Sequence, residues 1–237
     1  MAQGGTIGQR ISDLIGTENQ TIAEYDGDLI NAAINEIADM MPNDLLLKYS
    51  RTPGQLESNS EWLVEDRKIL AVTRIDADSS GIERPCVEVD RKEFSQAQDS
   101  GSIYYATAHS PVYHMDSANA GVATLKIIPE PTTPQKGKIW YFSYVTSTGP
   151  DSNIRDVVES TINSTIYLPA TLIHAIALKS SINILNAYLS NQIQDEEDME
   201  IVQLLTTQKS ILEKDFMSEI QRFLVSAMAK QEQPEAE

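Results

Sequence analysis

The N-terminal part of the chain has helical hydrophobic spacing. Apolar residues recur every three or four positions and predict an amphipathic helix over residues 7–15, with Gly16 as its stop. The same spacing predicts a second helix between Asp26 and Pro42, which ends there because proline lacks the amide hydrogen that a continuing helix needs. A short third helix is predicted over residues 43–47, and residues 51–60 are predicted to be a loop.

After Trp62 the spacing changes to short apolar runs that are separated by turn residues, which is typical of strands. Asp90 is the predicted N-cap of one short helix that ends near residue 98. The predicted strands are 68–75, 85–89, 103–107, 112–114, 122–128 and 139–145.

The C-terminal part returns to helical spacing. Pro169 is predicted to begin a long helix that ends near residue 192, and a second helix follows from about 195 to 229. The core stripe predicted for the second helix is Ile201, Leu204, Leu205, Leu212, Phe216, Ile220, Phe223 and Leu224. The two helices are predicted to form an antiparallel hairpin.

The first long helix is unusually poor in charge. Lys179 is its only certain charge, so we expect it to be covered on more than one side. A membrane-spanning helix is the alternative, but Lys179, His174 and several Asn and Ser residues interrupt the apolar run. We therefore expect no membrane contact.

These elements predict an α+β fold: a helical bundle, made of the N-terminal helices and the long C-terminal hairpin, with a β-rich central insertion. The predicted boundaries place residues 1–60 and 150–230 in one discontinuous helical domain. Residues 61–149 form the β-rich insertion domain, and residues 231–237 an acidic tail.

Charge limits the classes of function. The chain has 18 Lys and Arg residues against 35 Asp and Glu residues, a formal net charge of −17. So acidic a surface repels a phosphate backbone, which argues against sequence-reading DNA binding, and it disfavours an anionic membrane as well. The single cysteine, Cys86, cannot form an intrachain disulfide.

One segment partly matches a calcium-binding loop. Asp76-x-Asp78-x-Ser80-Gly follows the first half of the EF-hand pattern, but Val87 occupies the position that needs a bidentate Glu. A hairpin turn is the favoured interpretation, and incidental cation binding remains the alternative.

Motifs for catalysis or cofactor binding are missing from the sequence. The three histidines, His109, His114 and His174, do not have the spacing of a metal site, and Cys86 lies in a predicted strand as a buried thiol. Neither a nucleophile elbow nor a phosphate-binding loop occurs. We therefore predict no catalytic residue, no metal and no cofactor, and a protein that is not an enzyme.

Four segments within this organisation carry a resemblance to a known family: Ser-Pro-Val-Tyr at 110–113, Leu-Lys-Ile-Ile-Pro at 125–129, residues 139–144 and residues 168–177. Together with the acidic helical N-terminus and the two C-terminal helices, they resemble the head-to-tail connector or adaptor proteins in the neck of tailed bacteriophages. The resemblance spans most of the chain and is one of organisation and local sequence.

The resemblance implies a virion structural protein, assembled in the host cytoplasm. It implies a ring, commonly of twelve copies, that joins the portal of the phage head to the tail and forms part of the DNA channel. The implied partners are further copies of the chain, the portal protein and a tail terminator or tail tube protein, with DNA only as passing cargo. The alternatives are another neck or tail component, such as a terminator or baseplate subunit, and a ligand-binding α+β domain or enzyme outside phages.

Two sets of site residues follow as hypotheses. Because the first long helix carries so little charge, we expect its apolar face to be buried partly between subunits, through Leu172, Ile176, Leu185 and Leu189. The second set would line the DNA passage or dock onto basic patches of the portal or tail partner: Asp195, Glu196, Glu197, Asp198 and Glu200. Acids within residues 11–47, which contain no Lys or Arg, are candidates for the same role.

Overall fold

The chain divides into two compact units. The computed structural model describes residues 5–16, 26–50, 53–58, 62–64, 66–76, 81–117, 123–146, 154–192 and 199–231. One unit, called the helical unit below, comprises residues 1–41 and 145–237, and the other, the β unit, comprises residues 42–144.

The described helices are α1 (Ile7–Ile15), α2 (Asp26–Met40), α3 (Asn43–Leu47), α4 (Arg91–Gln98), α5 (Ile162–Thr165), α6 (Ile173–Gln192) and α7 (Met199–Gln231). The described strands are β1 (Gly54–Leu56), β2 (Trp62–Leu63), β3 (Arg67–Ile75), β4 (Glu83–Pro85), β5 (Val87–Glu88), β6 (Val112–Ser117), β7 (Ala123–Ile128) and β8 (Gly137–Ser143). The predicted α+β class is confirmed.

Two predicted helices begin at capping boxes. Thr6 Oγ1 accepts a hydrogen bond from the amide of Gln9, and Gln9 Oε1 accepts one from the amide of Thr6. Asp90 and Glu93 form the same reciprocal pair at the start of α4. Each box supplies acceptors to amides that the first helical turn leaves without partners. The predicted stop of α1 at Gly16 is also confirmed, with φ at 91°, a conformation that glycine adopts without strain.

In the helical unit, α6 is the central element. It packs against α1, α2 and α7, so its buried residues lie around much of its circumference. The Lys179 ammonium, the charge predicted to interrupt this helix, lies 2.6 Å from the Glu36 carboxylate of α2. The expected cover on more than one side is confirmed, and the helices that provide it belong to the same chain.

The same helix is the one described segment that is long and apolar enough to cross a membrane. This segment is Ala170–Ser190, and 67 % of its most apolar 18-residue window is buried in the protein. A central core helix has the same length and composition, and the packing of α6 accounts for its hydrophobicity.

The β unit contains two four-stranded sheets, with strand orders β1-β8-β3-β4 and β2-β7-β6-β5. The longest pairings, β3 with β8 and β6 with β7, are antiparallel. Side chains from both sheets share one core, formed by Leu56, Val72, Leu125, Ile127 and Ile139. The sheets therefore face each other, and α4 covers a second, smaller core that includes Phe94 and Ile128.

The strand predicted over residues 85–89 is divided between the two sheets. The amide of Cys86 donates to Val72 O at 2.8 Å, whereas the amide of Val87 donates to Pro111 O at 3.1 Å. The chain thus passes from one sheet to the other at Cys86. Sequence spacing could not show this change of partner, because both halves have strand-like composition.

The strand predicted over residues 103–107 is wrong. This segment is a series of turns after α4, with one isolated bridge between Thr107 and Ser110. The Asp99 side chain accepts a hydrogen bond from the Gly101 amide, which begins the turn. Local turn chemistry therefore overrides the strand preference of the aromatic residues that follow.

The boundary predicted at residue 60 lies too far along the chain. The β unit begins at residue 42, because α3 packs against β3 and because β1, in the segment predicted to be a loop, pairs with β8. The return to the helical unit occurs at residue 145. Residues 232–237 of the predicted acidic tail lie outside the described part, and Gln231 ends α7.

Candidate functional site

The four residues predicted at a subunit interface lie in the core of the single chain. Leu172, Ile176 and Leu185 are 0 % exposed, and Leu189 is 8 % exposed. A second copy could reach these side chains only if α6 left its neighbours. An interface between copies must therefore use other residues, and these four stabilise the helical unit itself.

The predicted cluster of acids lies mainly outside the described residues. This holds for Asp195, Glu196, Glu197 and Asp198. Glu200 is exposed in the first turn of α7, where its carboxylate interacts favourably with the positive end of the helix dipole.

Asp76, the first residue of the partial EF-hand pattern, is held in an ion-pair cluster. Its buried carboxylate lies 3.0 Å from Arg84 Nη2 and 3.2 Å from His109 Nδ1. The next two residues of the pattern, Asp78 and Ser80, lie outside the described part, and Glu83 pairs with a lysine. Asp76 is thus engaged by Arg84 and His109, which gives it a structural role in the β unit.

The remaining two histidines, His114 and His174, lie on different elements. His114 Nδ1 lies 2.9 Å from Val89 O, and its ring packs on Phe94. His174, expected in a core or an interface, is exposed on α6. Within the residues that the structure describes, no three His, Cys, Asp or Glu side chains form a group that could hold a metal ion.

Cys86 packs against the core of the β unit, as a buried structural thiol was predicted to do. Burial raises the pKa of its thiol to about 12, so the reactive thiolate is scarce at neutral pH. Burial, together with the neighbouring Glu88 carboxylate, also raises the pKa of Tyr113, whose hydroxyl donates to Glu88 at 3.0 Å. Neither group is suited to serve as a nucleophile or a general base.

The two units differ strongly in charge. The helical unit has 21 acidic and 7 basic residues, a net charge of −14, whereas the β unit has 14 acidic and 11 basic residues, a net charge of −3. The acidity of the chain is thus a property of one unit. The predicted insertion, residues 61–149, also has a net charge of −3, with 12 acidic and 9 basic residues, so the sequence alone contained this signal.

The first exposed apolar feature is a turn in the β unit. Ile103, Tyr104 and Tyr105, called the aromatic turn below, are 92 %, 62 % and 46 % exposed. Backbone bonds hold the turn, since the Tyr105 amide donates to Ser102 O and the Ala106 amide to Ala97 O. Sequence reasoning missed this feature because it placed these residues in a strand.

The second exposed apolar feature runs along α7. The buried face of this helix is formed by Leu205, Leu212, Phe216 and Ile220, as predicted. Two residues predicted in the same core stripe, Ile201 and Leu204, are exposed instead. On the opposite side, alternating intervals of three and four residues define a row of exposed positions, called the α7 seam below: Leu204, Thr207, Ile211, Lys214, Ser218, Gln221, Val225 and Met228.

The α7 seam has the residue spacing of a coiled-coil contact. Four of its eight positions are large apolar residues, and Leu204, Ile211 and Val225 recur at intervals of seven or fourteen. A 33-residue helix with one buried face and a second apolar row on the opposite side can pack against a further helix. Sequence analysis placed Leu204 in the core stripe and left Ile211, Val225 and Met228 unassigned, so it missed this row.

Comparisons with known proteins identify no relative: no protein-family model matches the chain, no curated protein is significantly similar to it, and no solved structure matches it.

Proposed function

We propose that this chain is a structural adaptor in the neck of a tailed bacteriophage, where it forms a ring that joins the portal of the head to the tail. The observation that carries the proposal is the division into two units with different surfaces. An adaptor needs two separate binding surfaces, because it contacts one partner on the head side and another on the tail side.

The charge of the helical unit supports this role. A unit with a net charge of −14 can dock onto basic patches of a partner, where charge complementarity orients the approaching protein and speeds association. The same charge lets a DNA duplex pass without being held, since a wall without clustered Lys and Arg releases no counterions from DNA.

The aromatic turn supports a second docking surface on the β unit. Tyrosine is among the residues that contribute most to protein–protein binding, and a backbone-bonded turn loses little conformational entropy on binding. Ile103 and Tyr104 present their side chains to solvent from such a turn. With a net charge of only −3, the β unit can approach a partner without strong repulsion.

The roles of the titratable side chains favour a structural protein over an enzyme. In the described part, Asp76 is paired with Arg84 and His109, Cys86 is buried, and Tyr113 is bonded to Glu88. Each of these groups stabilises the β unit, and together they form no constellation of nucleophile, base and orienting group.

The test is to inactivate the gene in the phage that encodes the chain and to examine the products by electron microscopy. We expect DNA-filled heads and complete tails that remain separate, because the joining ring is missing. Gold-labelled antibody against the chain should mark the neck of wild-type particles. Tailed, infectious particles without the chain would contradict the proposal, and so would label on the baseplate.

A pair of variants tests the aromatic turn in the same assay. Replacing Ile103 and Tyr104 by Ser should leave the unit folded, because both side chains are exposed, but should prevent heads and tails from joining. The matched control, Ile103→Leu with Tyr104→Phe, keeps the apolar contact and should support joining. Equal joining by both variants would show that the turn is not a docking surface.

A further inference from the structure

The α7 seam presents four exposed apolar residues along one side of α7, and α7 differs in charge from the rest of the helical unit. From residue 201 to residue 229, α7 carries three basic and three acidic residues. All of the net charge of −14 therefore lies elsewhere in the helical unit. Residues 201–229 of α7 are therefore neutral as a group and add no net repulsion of their own to a contact between two copies.

We propose that two copies of the free chain pair through the α7 seam, with the two α7 helices antiparallel. The seam extends from Leu204 to Met228, and its part from Ile211 to Met228, about 26 Å of helix, forms the contact described below. All eight of its positions are exposed in the single chain, so no rearrangement of the core is needed to form the contact.

The heptad spacing determines which residues face each other across such a pair. When Ser218 lies opposite Gln221 of the second copy, Ile211 lies opposite its Met228, and Val225 lies against the aliphatic stem of its Lys214. The pair is symmetric, so each of these contacts occurs twice. Two apolar layers thus enclose a polar centre in which Ser218 and Gln221 can share a hydrogen bond.

The flanking residues are complementary in the same register. Asp215 lies beside Arg222 of the second copy on one side of the seam, and Met217 lies beside its Leu224 on the other side. Arg222 is largely exposed, with only a 3.8 Å contact to Glu219 of its own helix, and Asp215 is exposed as well. Opposite charges at such flanking positions set the orientation and register of paired helices.

Other arrangements of the same two helices bring like charges together. A parallel pair in register places Lys214 against Lys214 inside the seam. An antiparallel pair that is shifted by seven residues places Asp215 beside Asp215. The charges on the seam therefore select one arrangement, in which Asp215 and Arg222 pair across the two copies.

This pair describes the free chain and goes beyond the proposed adaptor function. A two-fold contact uses the same patch on both copies, whereas neighbours in a ring are related by one repeated rotation and use two different patches. A ring would therefore form through other surfaces, and pairing would cover the apolar seam before assembly. The inference can fail while the adaptor function holds, and the reverse is also true.

The test is the dimer dissociation constant of the purified full-length chain, measured by sedimentation equilibrium. Asp215→Arg and Arg222→Asp should each weaken pairing by about ten-fold, because two attractive pairs become repulsive. The double variant D215R/R222D should restore pairing to near the wild-type value. Ile211→Glu should abolish pairing, while Ile201→Glu, an exposed apolar position beyond the overlap of the two helices, should leave it unchanged.

Cysteine variants in a Cys86→Ala background test the orientation. A mixture of the Ser218→Cys and Gln221→Cys proteins should form mostly the mixed disulfide, because these residues face each other in the antiparallel pair. Preferential disulfides between two Ser218→Cys chains would show a parallel pair and overturn the proposal. It would also be overturned by a wild-type chain that stays monomeric at high concentration, or by a double charge variant that pairs no better than the single variants. Circular dichroism should show unchanged helix content in all variants.

Discussion

The helical unit and the β unit are stabilised in different ways. The helical unit is built around α6, whose charge-poor surface is buried by three helices of the same chain. The β unit has a smaller apolar core between two sheets, supplemented by buried charged groups such as Arg74 and Asp76. Among the described residues, both fully buried charged side chains, Arg74 and Asp76, belong to the nearly neutral unit.

The comparison teaches that net charge describes the surface of a unit rather than its interior. The two units also have separate spectroscopic signals. Both tryptophans, Trp62 and Trp140, belong to the β unit, so tryptophan fluorescence reports on that unit alone. Far-UV circular dichroism is dominated by α2, α6 and α7 and reports mainly on the helical unit.

The largest expected effect is from a charge in the centre of α6. Ile176→Asp should unfold the helical unit, because burying an unpaired carboxylate and losing apolar contacts costs more than about 4 kcal/mol. Helical circular dichroism should fall, while tryptophan emission should stay at its native wavelength, since the β unit has its own core. The conservative variant Ile176→Val should cost about 1 kcal/mol. Loss of both signals together would show that the two units unfold as one.

The next largest loss of stability is expected from replacing a buried arginine in the β unit. Arg74 is buried and donates to Pro129 O at 2.9 Å and to Gln135 Oε1 at 2.7 Å. Arg74→Met leaves these acceptors without that donor, at a cost of about 2–4 kcal/mol. The urea concentration at the midpoint of unfolding should fall when it is measured by tryptophan fluorescence, which reports on the β unit. The midpoint measured by circular dichroism, which reports mainly on the helical unit, should not change. Arg91→Met is the control at an exposed guanidinium of the β unit and should cost less.

A smaller effect should appear at alkaline pH. The pKa of Cys86 is about 12 in the folded β unit and about 8.5 in an unfolded chain. Above pH 9 the unfolded state therefore binds fewer protons than the folded state, and stability should fall by about 1 kcal/mol between pH 9 and 10. Fluorescence-detected urea unfolding at each pH measures this slope, and Cys86→Ala should remove that contribution. An unchanged slope in the variant would assign the pH dependence to other groups.

The smallest effect is expected from salt. Screening reduces repulsion among like surface charges, so raising NaCl from 20 to 500 mM should stabilise the helical unit by about 0.5 kcal/mol. The β unit, with a net charge of −3, should change less. Thermal unfolding followed by both signals makes the comparison in one sample. A larger shift in the fluorescence signal would show that the charge difference does not control stability.

Elements with strong local signals could be predicted from the sequence. The capping residue Asp90, the stop at Gly16 and the apolar spacing of α6 each act within a few residues, so their outcome does not depend on distant partners. The short strand β1 and the turn at residues 103–105 could not be predicted this way. The pairing of β1 with β8 depends on residues more than 80 positions away, and the turn depends on side-chain hydrogen bonds that compete with strand preference.

The candidate site residues also show that local sequence signals cannot identify distant partners. A helix with one charge must be covered, and that inference from composition was sound. Composition cannot say whether the cover comes from another copy or from the same chain. Leu172 and Ile176 are buried by the chain itself, while Leu204, which was predicted in the core stripe of α7, belongs to the exposed α7 seam.

What the sequence by itself determined was local and additive: the positions of most helices, the α+β class, the acidity, and the lack of catalytic motifs. What only the tertiary structure decided was which apolar surfaces are already satisfied within one chain. The physical reason is that hydrophobic burial is non-directional, so an apolar residue is stabilised equally by any neighbour that removes it from water. Only the packed arrangement shows that α6 needs no further partner and that the outer row of α7 remains in contact with solvent.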